Sequence, residues 1–124
     1  MESSNVCAGG DTLIFACSGA ADVGAIADRV AREMTKKRMG KMFCLAGIGG
    51  RIEPIMQKTS QAAKILAIDG CPLNCAKRTL EQAGFKQFKQ LQLGDIGMVK
   101  GQTPAMPENI DKVVHAAKQT LCDM

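Results

Sequence analysis

The chain contains no Trp and no Tyr, and four Phe are its only aromatic residues. Platforms for stacking bases or sugars are therefore nearly absent. The net charge of +4 is mild and no basic cluster stands out, so the electrostatic footprint of a nucleic-acid-binding protein is missing. No apolar run approaches the roughly 20 residues of a spanning helix, and no membrane partner is expected. The opening Met1-Glu2-Ser3-Ser4-Asn5 has no positive region, and Leu13 to Cys17 is too short for a signal-peptide core. A cytoplasmic location is expected. Histidine occurs once, as His115, and neither a general acid–base pair nor a catalytic histidine can be read. The Gly-x₄-Gly-Lys-Ser/Thr of a P-loop and the Gly-x-Gly-x-x-Gly of a dinucleotide site are also missing.

What is present is an ordinary globular composition with an excess of cysteine. Hydrophobic residues make up 46% and charged residues 23% of 124, as in typical domains. This length suits one α/β domain, residues 1–124, with a loose N-terminal tail of about ten residues. Such a chain buries roughly two thirds of its unfolded surface and needs no staple merely to form a core. The six cysteines are Cys7, Cys17, Cys44, Cys71, Cys75 and Cys122. In a reducing compartment an excess of thiols points to metal or redox chemistry rather than a disulfide framework.

Punctuation by Gly, Pro and Asp divides the chain into alternating strands and helices. Thr12 to Cys17, Met42 to Ile48 and Lys64 to Asp69 read as buried strands, and Phe88 to Leu93, with polar and apolar residues alternating, as an edge strand. Asp22 offers an N-cap to a helix whose stripe is Val23, Ile26, Ala27, Val30 and Met34. Ile52, Ile55, Met56 and Thr59 mark a weaker helix. Pro72 suits the first turn of another, with stripe Leu73, Ala76, Leu80 and Ala83. Pro107 and Glu108 open a last helix containing Ile110, Val113, Val114, Ala117 and Leu121. Gly94 to Met106 carries no clear pattern. Alternating strands and helices imply parallel pairing with right-handed crossovers. The expectation is a three-layer βαβαβαβα domain with a four-stranded, mainly parallel sheet in the order 2-1-3-4, which puts the alternating strand at an edge.

Cys17, Cys44 and Cys71 lie 27 residues apart, each at or near the C-terminal end of an expected strand. Ligands of open parallel sheets bind at that edge, above all where strand order reverses. Neighbouring strands are about 4.8 Å apart, so sulfurs on adjacent ends can converge. Cys75 follows Cys71 by one helical turn if Cys71 is the N-cap. Unpaired N–H groups and the positive end of that helix favour the thiolate a metal requires. These four sulfurs, Cys17, Cys44, Cys71 and Cys75, form a candidate zinc site. The same sulfurs, or a subset, also suit an iron–sulfur cluster, redox chemistry or sulfur transfer. The paired Cys-x₂-Cys of a zinc ribbon does not occur.

The run Ile68-Asp69-Gly70-Cys71-Pro72-Leu73-Asn74-Cys75, with Ala16-Cys17-Ser18-Gly19 and Phe43-Cys44-Leu45-Ala46 upstream, resembles the DGC-domain family. That family takes its name from the Asp-Gly-Cys motif matched here by Asp69, Gly70 and Cys71. The likeness spans roughly Thr12 to Leu121, and it implies zinc held by the four matching cysteines, without an established reaction.

Other features have plainer explanations. Cys7 and Cys122 stand near the termini and read as structural or incidental. His115 falls off its helix stripe and should face solvent. Asp69 reads as a turn stabiliser or as a partner of the cysteine site. The glycines around Gly49 and Gly19 read as turns. Cys44–Arg51 and Cys71–Arg78 have six intervening residues where a cysteine-phosphatase loop uses five. Scattered methionines read as core packing. Whether the chain is an enzyme, and which protein partner it meets, is not legible.

Overall fold

The computed structural model describes residues 11–123; the expected N-terminal tail and Cys7 lie outside the described residues. The elements are β1 (Thr12–Ala16), α1 (Asp22–Lys36), β2 (Lys41–Met42), α2 (Leu45–Gly49), α3 (Glu53–Ser60), β3 (Lys64–Asp69), α4 (Cys75–Gln82), β4 (Lys89–Gln92) and α5 (Pro107–Cys122), with a 3₁₀ turn at Leu93–Ile96. All pairings are parallel and the order is β2-β1-β3-β4, the expected topology. β1 and β3 pair along their length, from Thr12 with Lys64 to Ala16 with Ile68.

Side chains alternate across a strand, and both faces are covered. Ile14, Ala16, Leu66 and Ile68 pack with Val23, Ile26, Val30 and Met34 of α1 and Val113, Ala117 and Leu121 of α5. On the opposite face Leu13, Phe15, Ile65 and Ala67 meet Ile48, Ala76 and Leu80. This explains why the two central strands read as unbroken apolar runs. In β4 only Leu91 is buried, between half-exposed Gln90 and Gln92, as an edge position requires.

Three local expectations fail. Met42 to Ile48 is not one strand: pairing ends at Met42, extended by the Phe43 N–H donating to Ile14 O at 2.8 Å, and Leu45–Gly49 turns into α2. A short buried apolar run has the same pattern in either structure; here Cys44 decides, because its sulfur caps α2. Asp22 is the first helical residue of α1 and not its N-cap, which is Ala21. Cys71 and Pro72 do not open α4. The Asn74 N–H closes a turn on Cys71 O at 3.2 Å, and α4 begins at Cys75 behind Asn74, held in the left-handed region at φ 55°. Leu73, expected on the buried stripe, is 63% exposed.

Candidate functional site: a cysteine-bearing sheet edge

Parallel connections return the chain to the same edge before each new crossover, and the four cysteines collect there. Cys17 follows β1 directly, Cys44 follows β2 by two residues and Cys71 follows β3 by two, while Cys75 opens α4. All four are free thiols; Cys17 and Cys71 are half-buried, Cys44 and Cys75 exposed. Cys122 sits at the opposite edge, where the neighbouring Leu121 carbonyl accepts from Lys64 Nζ at 3.2 Å, and is disulfide-bonded. His115 faces solvent.

The β3 edge is pressed onto the start of α1. A Cβ on Gly70 would lie 2.7 Å from the Val23 carbonyl, and one on Gly24 would lie 2.5 Å from the Gly19 carbonyl oxygen. Glycine at 70 therefore lets the Asp69–Cys71 segment sit against the positive end of a 15-residue helix. The Gly70 N–H donates to Cys17 Sγ at 3.4 Å, joining the β1 and β3 ends. The Gly47 N–H donates to Cys44 Sγ at 3.3 Å. Each of these two sulfurs thus has a backbone donor against it.

Asp69 anchors the second half of the edge. It is fully buried and accepts from the Ala76 N–H at 2.7 Å, the Lys77 N–H at 3.1 Å and Gln90 Nε2 at 2.9 Å. It thus caps α4 from the strand end, a task Asn74 cannot perform in its left-handed conformation. The Asn74 side-chain oxygen instead accepts from Gln90 and Gln92 Nε2, both at 2.8 Å. Edge strand β4 thereby ties down the Cys71–Cys75 turn. Of the two readings open for Asp69, the turn contacts are the ones the structure contains.

Two cavities open along this edge. Cys17, Cys71 and Cys75 line one of about 490 Å³, together with Leu73, Lys100 and the first turn of α1. Cys17 and Cys44 line the other, of about 510 Å³, with Ser18, Asp28, Arg32 and Thr79. Asp28 accepts from Arg32 Nε at 2.7 Å and Ser18 Oγ at 2.8 Å. Burial pushes its carboxyl up, but these hydrogen bonds and the Arg32 charge outweigh it and leave it below the usual carboxylate range. Residues 99–103 are held to α1 by Asp22, which accepts from the Gly101 N–H at 2.9 Å, the Thr103 N–H at 3.0 Å and the Val23 N–H at 2.7 Å. The Gly101 bond, then that of Thr103, keeps its carboxyl below the usual range.

The sequence reading missed Lys100, Asp28 and Arg32. Lys100 lies where no pattern was visible; Asp28 and Arg32 had the i,i+4 spacing of a helix ion pair, which gave a signal. As the chain is folded, no three His, Cys, Asp or Glu side chains among the described residues are grouped closely enough to hold a metal ion. The donor chemistry of four free thiols suits a thiophilic ion, whereas their separation into two cavities leaves the coordination sphere unassembled.

Fold and edge together define an α/β protein with a cysteine-bearing C-terminal sheet edge. The DGC domain profile matches residues 13–117, and the chain belongs to the DGC-domain family. It is similar to the Anaerobic and virulence modulator AnvM of Pseudomonas aeruginosa, with 34% identity over 88 residues, 71% of this chain and 67% of that protein. No solved structure matches the chain significantly. No helix among the described residues is long and apolar enough to cross a membrane.

Proposed function

We propose that the protein works through its edge cysteines and captures a thiophilic metal ion, zinc first, with Cys17, Cys71 and Cys75 as the principal ligands and Cys44 as the fourth. The observation that carries this reading is one cavity lined by three free thiols from separate elements, with Cys17 also lining the cavity of Cys44. Zinc would neutralise thiolate charge and fasten three strand ends to α4. No group of three donors is preassembled among the described residues, so capture would require the Cys71–Cys75 turn and Cys17 to approach one another. Ser18 and Asn74, beside Cys17 and Cys75, both hold positive φ, a conformation that non-glycine residues keep mainly where local contacts impose it.

A second reading is thiolate redox chemistry or sulfur transfer, or an iron–sulfur cluster on the same cysteines. The unassembled coordination sphere and the half-open thiols favour free-thiol chemistry, and a relative named as an anaerobic modulator accords with redox sensitivity. One experiment separates the readings. Protein purified under anaerobic conditions without added metal is assayed for metal, for visible absorption, and for alkylation of each cysteine before and after chelation. Stoichiometric zinc, with cysteines protected until the chelator is added, supports capture. Metal-free protein alkylated at once refutes zinc and favours free thiols, and a brown chromophore identifies the cluster.

A further inference from the structure

Resting on the free-thiol reading, we propose that the cavity of Cys17, Cys71 and Cys75 receives a small acidic disulfide, one carrying carboxylates, for thiol–disulfide exchange. Its volume of about 490 Å³ lies within the usual range for small-molecule sites and accommodates one half of such a molecule.

The exposed charge along this cavity is positive, while its one carboxylate is buried. Lys100 lines it, and α1 points its positive end into the same wall. Asp69, also in that wall, is buried with its oxygens taken by the Ala76 and Lys77 N–H groups and by Gln90. The nearby Asp22 carboxylate keeps its charge but accepts from the Val23, Gly101 and Thr103 N–H groups, and those last two bonds hold the Lys100 segment in place. In the neighbouring cavity Arg32 is paired with Asp28, so Cys44 sits among compensated charges. An anionic reagent is therefore drawn more strongly to the exposed Lys100 of the first cavity than to the ion pair of the second.

The exchange is balanced without another reactant. A cavity thiolate attacks one sulfur of the disulfide; the old S–S bond breaks, a cysteine–ligand S–S bond forms, and the other half leaves as thiolate. A second cavity thiolate attacks the cysteine sulfur of this mixed disulfide and expels the remaining half. Two protein thiols are oxidised by two electrons and the ligand is reduced to two thiols.

The test uses full-length, reduced, chelator-treated protein with oxidised glutathione, which is anionic, and cystamine, which is cationic. Mixed-disulfide formation at each cysteine is followed by peptide mass spectrometry at low and high salt. The expected result is faster reaction of the cavity cysteines with oxidised glutathione than with cystamine, a weaker preference at Cys44, and loss of the difference in high salt. Lys100→Glu should lower the anion-to-cation rate ratio at the cavity by about tenfold or more, and Lys100→Arg should retain it. Equal ratios at the cavity and Cys44, or a ratio indifferent to Lys100→Glu while the thiols still react, overturns this proposal alone. Cavity thiols inert to both disulfides overturn it together with the free-thiol reading.

Discussion

Removing the Asp69 carboxylate should loosen the cysteine edge by an amount the structure allows one to work out. In Asp69→Ala, the Ala76 N–H loses an acceptor at a fully buried residue and the Lys77 N–H loses its cap, while Gln90 keeps its bond to Asn74. Loss of an N-terminal cap costs about 1 kcal/mol, and a buried donor left without a partner costs about 1–3 kcal/mol. The sum is about 3 kcal/mol, equivalent to a melting point lower by about 10 °C in a chain of this size. Asp69→Asn keeps one acceptor oxygen and should lose about half as much. Urea unfolding of metal-free, reduced protein measures this, with the exposed Asp95→Ala as a control expected within about 0.5 kcal/mol of the parent. Because the first turn of α4 then frays, Cys75 should alkylate faster in Asp69→Ala while Cys44 is unchanged. A loss below about 1 kcal/mol with an unchanged denaturant slope, or equal acceleration at Cys44, would refute the assignment of Asp69 as the anchor of this turn.

Gly70→Ala should destabilise by about 1–3 kcal/mol because its Cβ meets Val23 backbone, whereas Gly19→Ala, with nothing within 4 Å, should be much milder; thermal melts of the two compare them directly. Asn74→Gly should be better tolerated than Asn74→Ala, since both lose the Gln90 and Gln92 bonds but only Ala pays about 1–2 kcal/mol for the left-handed backbone. The folded Asp22 carboxyl is held below its ordinary value, so its clamp is fully present above about pH 3.9 and is lost as pH falls through the lower folded value. The Gly101 and Thr103 amides, followed by nuclear magnetic resonance through that acid range, should exchange faster as the clamp lets go, and Asp22→Asn should abolish that dependence.

The fold was legible because the central strands are covered on both faces. Burial makes Leu13–Ala16 and Ile65–Ile68 continuously apolar, and a parallel sheet is the arrangement that needs such runs. The edge character of β4 followed from Gln90 and Gln92 alternating with Leu91. The local errors share one cause: each depended on a side chain acting across the fold or in place of an expected cap. A sulfur capping α2 makes Cys44 a helix start, and a carboxylate from β3 caps α4 so that Pro72 and Leu73 fall outside the helix. Asp22 looked like a cap because its true partners, Gly101 and Thr103, lie 79 and 81 residues further along the chain.

The cysteine edge was legible for a reason different from the spacing that first drew notice. The passage from Cys17 to Cys44 runs through one helix of 15 residues, while that from Cys44 to Cys71 runs through two short ones, of 5 and 8 residues. Equal intervals therefore reflect no structural repeat. Topology does the placing, since each crossover carries the chain to the opposite edge and the next parallel strand delivers it back to the same C-terminal edge. What topology leaves open is where each sulfur sits along that edge. Cys44 is held by its own helix, and the Cys71–Cys75 turn is held by Asp69 and β4. Cys17, directly after the strand between β2 and β3, lines both cavities. A metal ion shared by all four cysteines would have to engage that central thiol, whereas exchange within the first cavity could also run between Cys71 and Cys75.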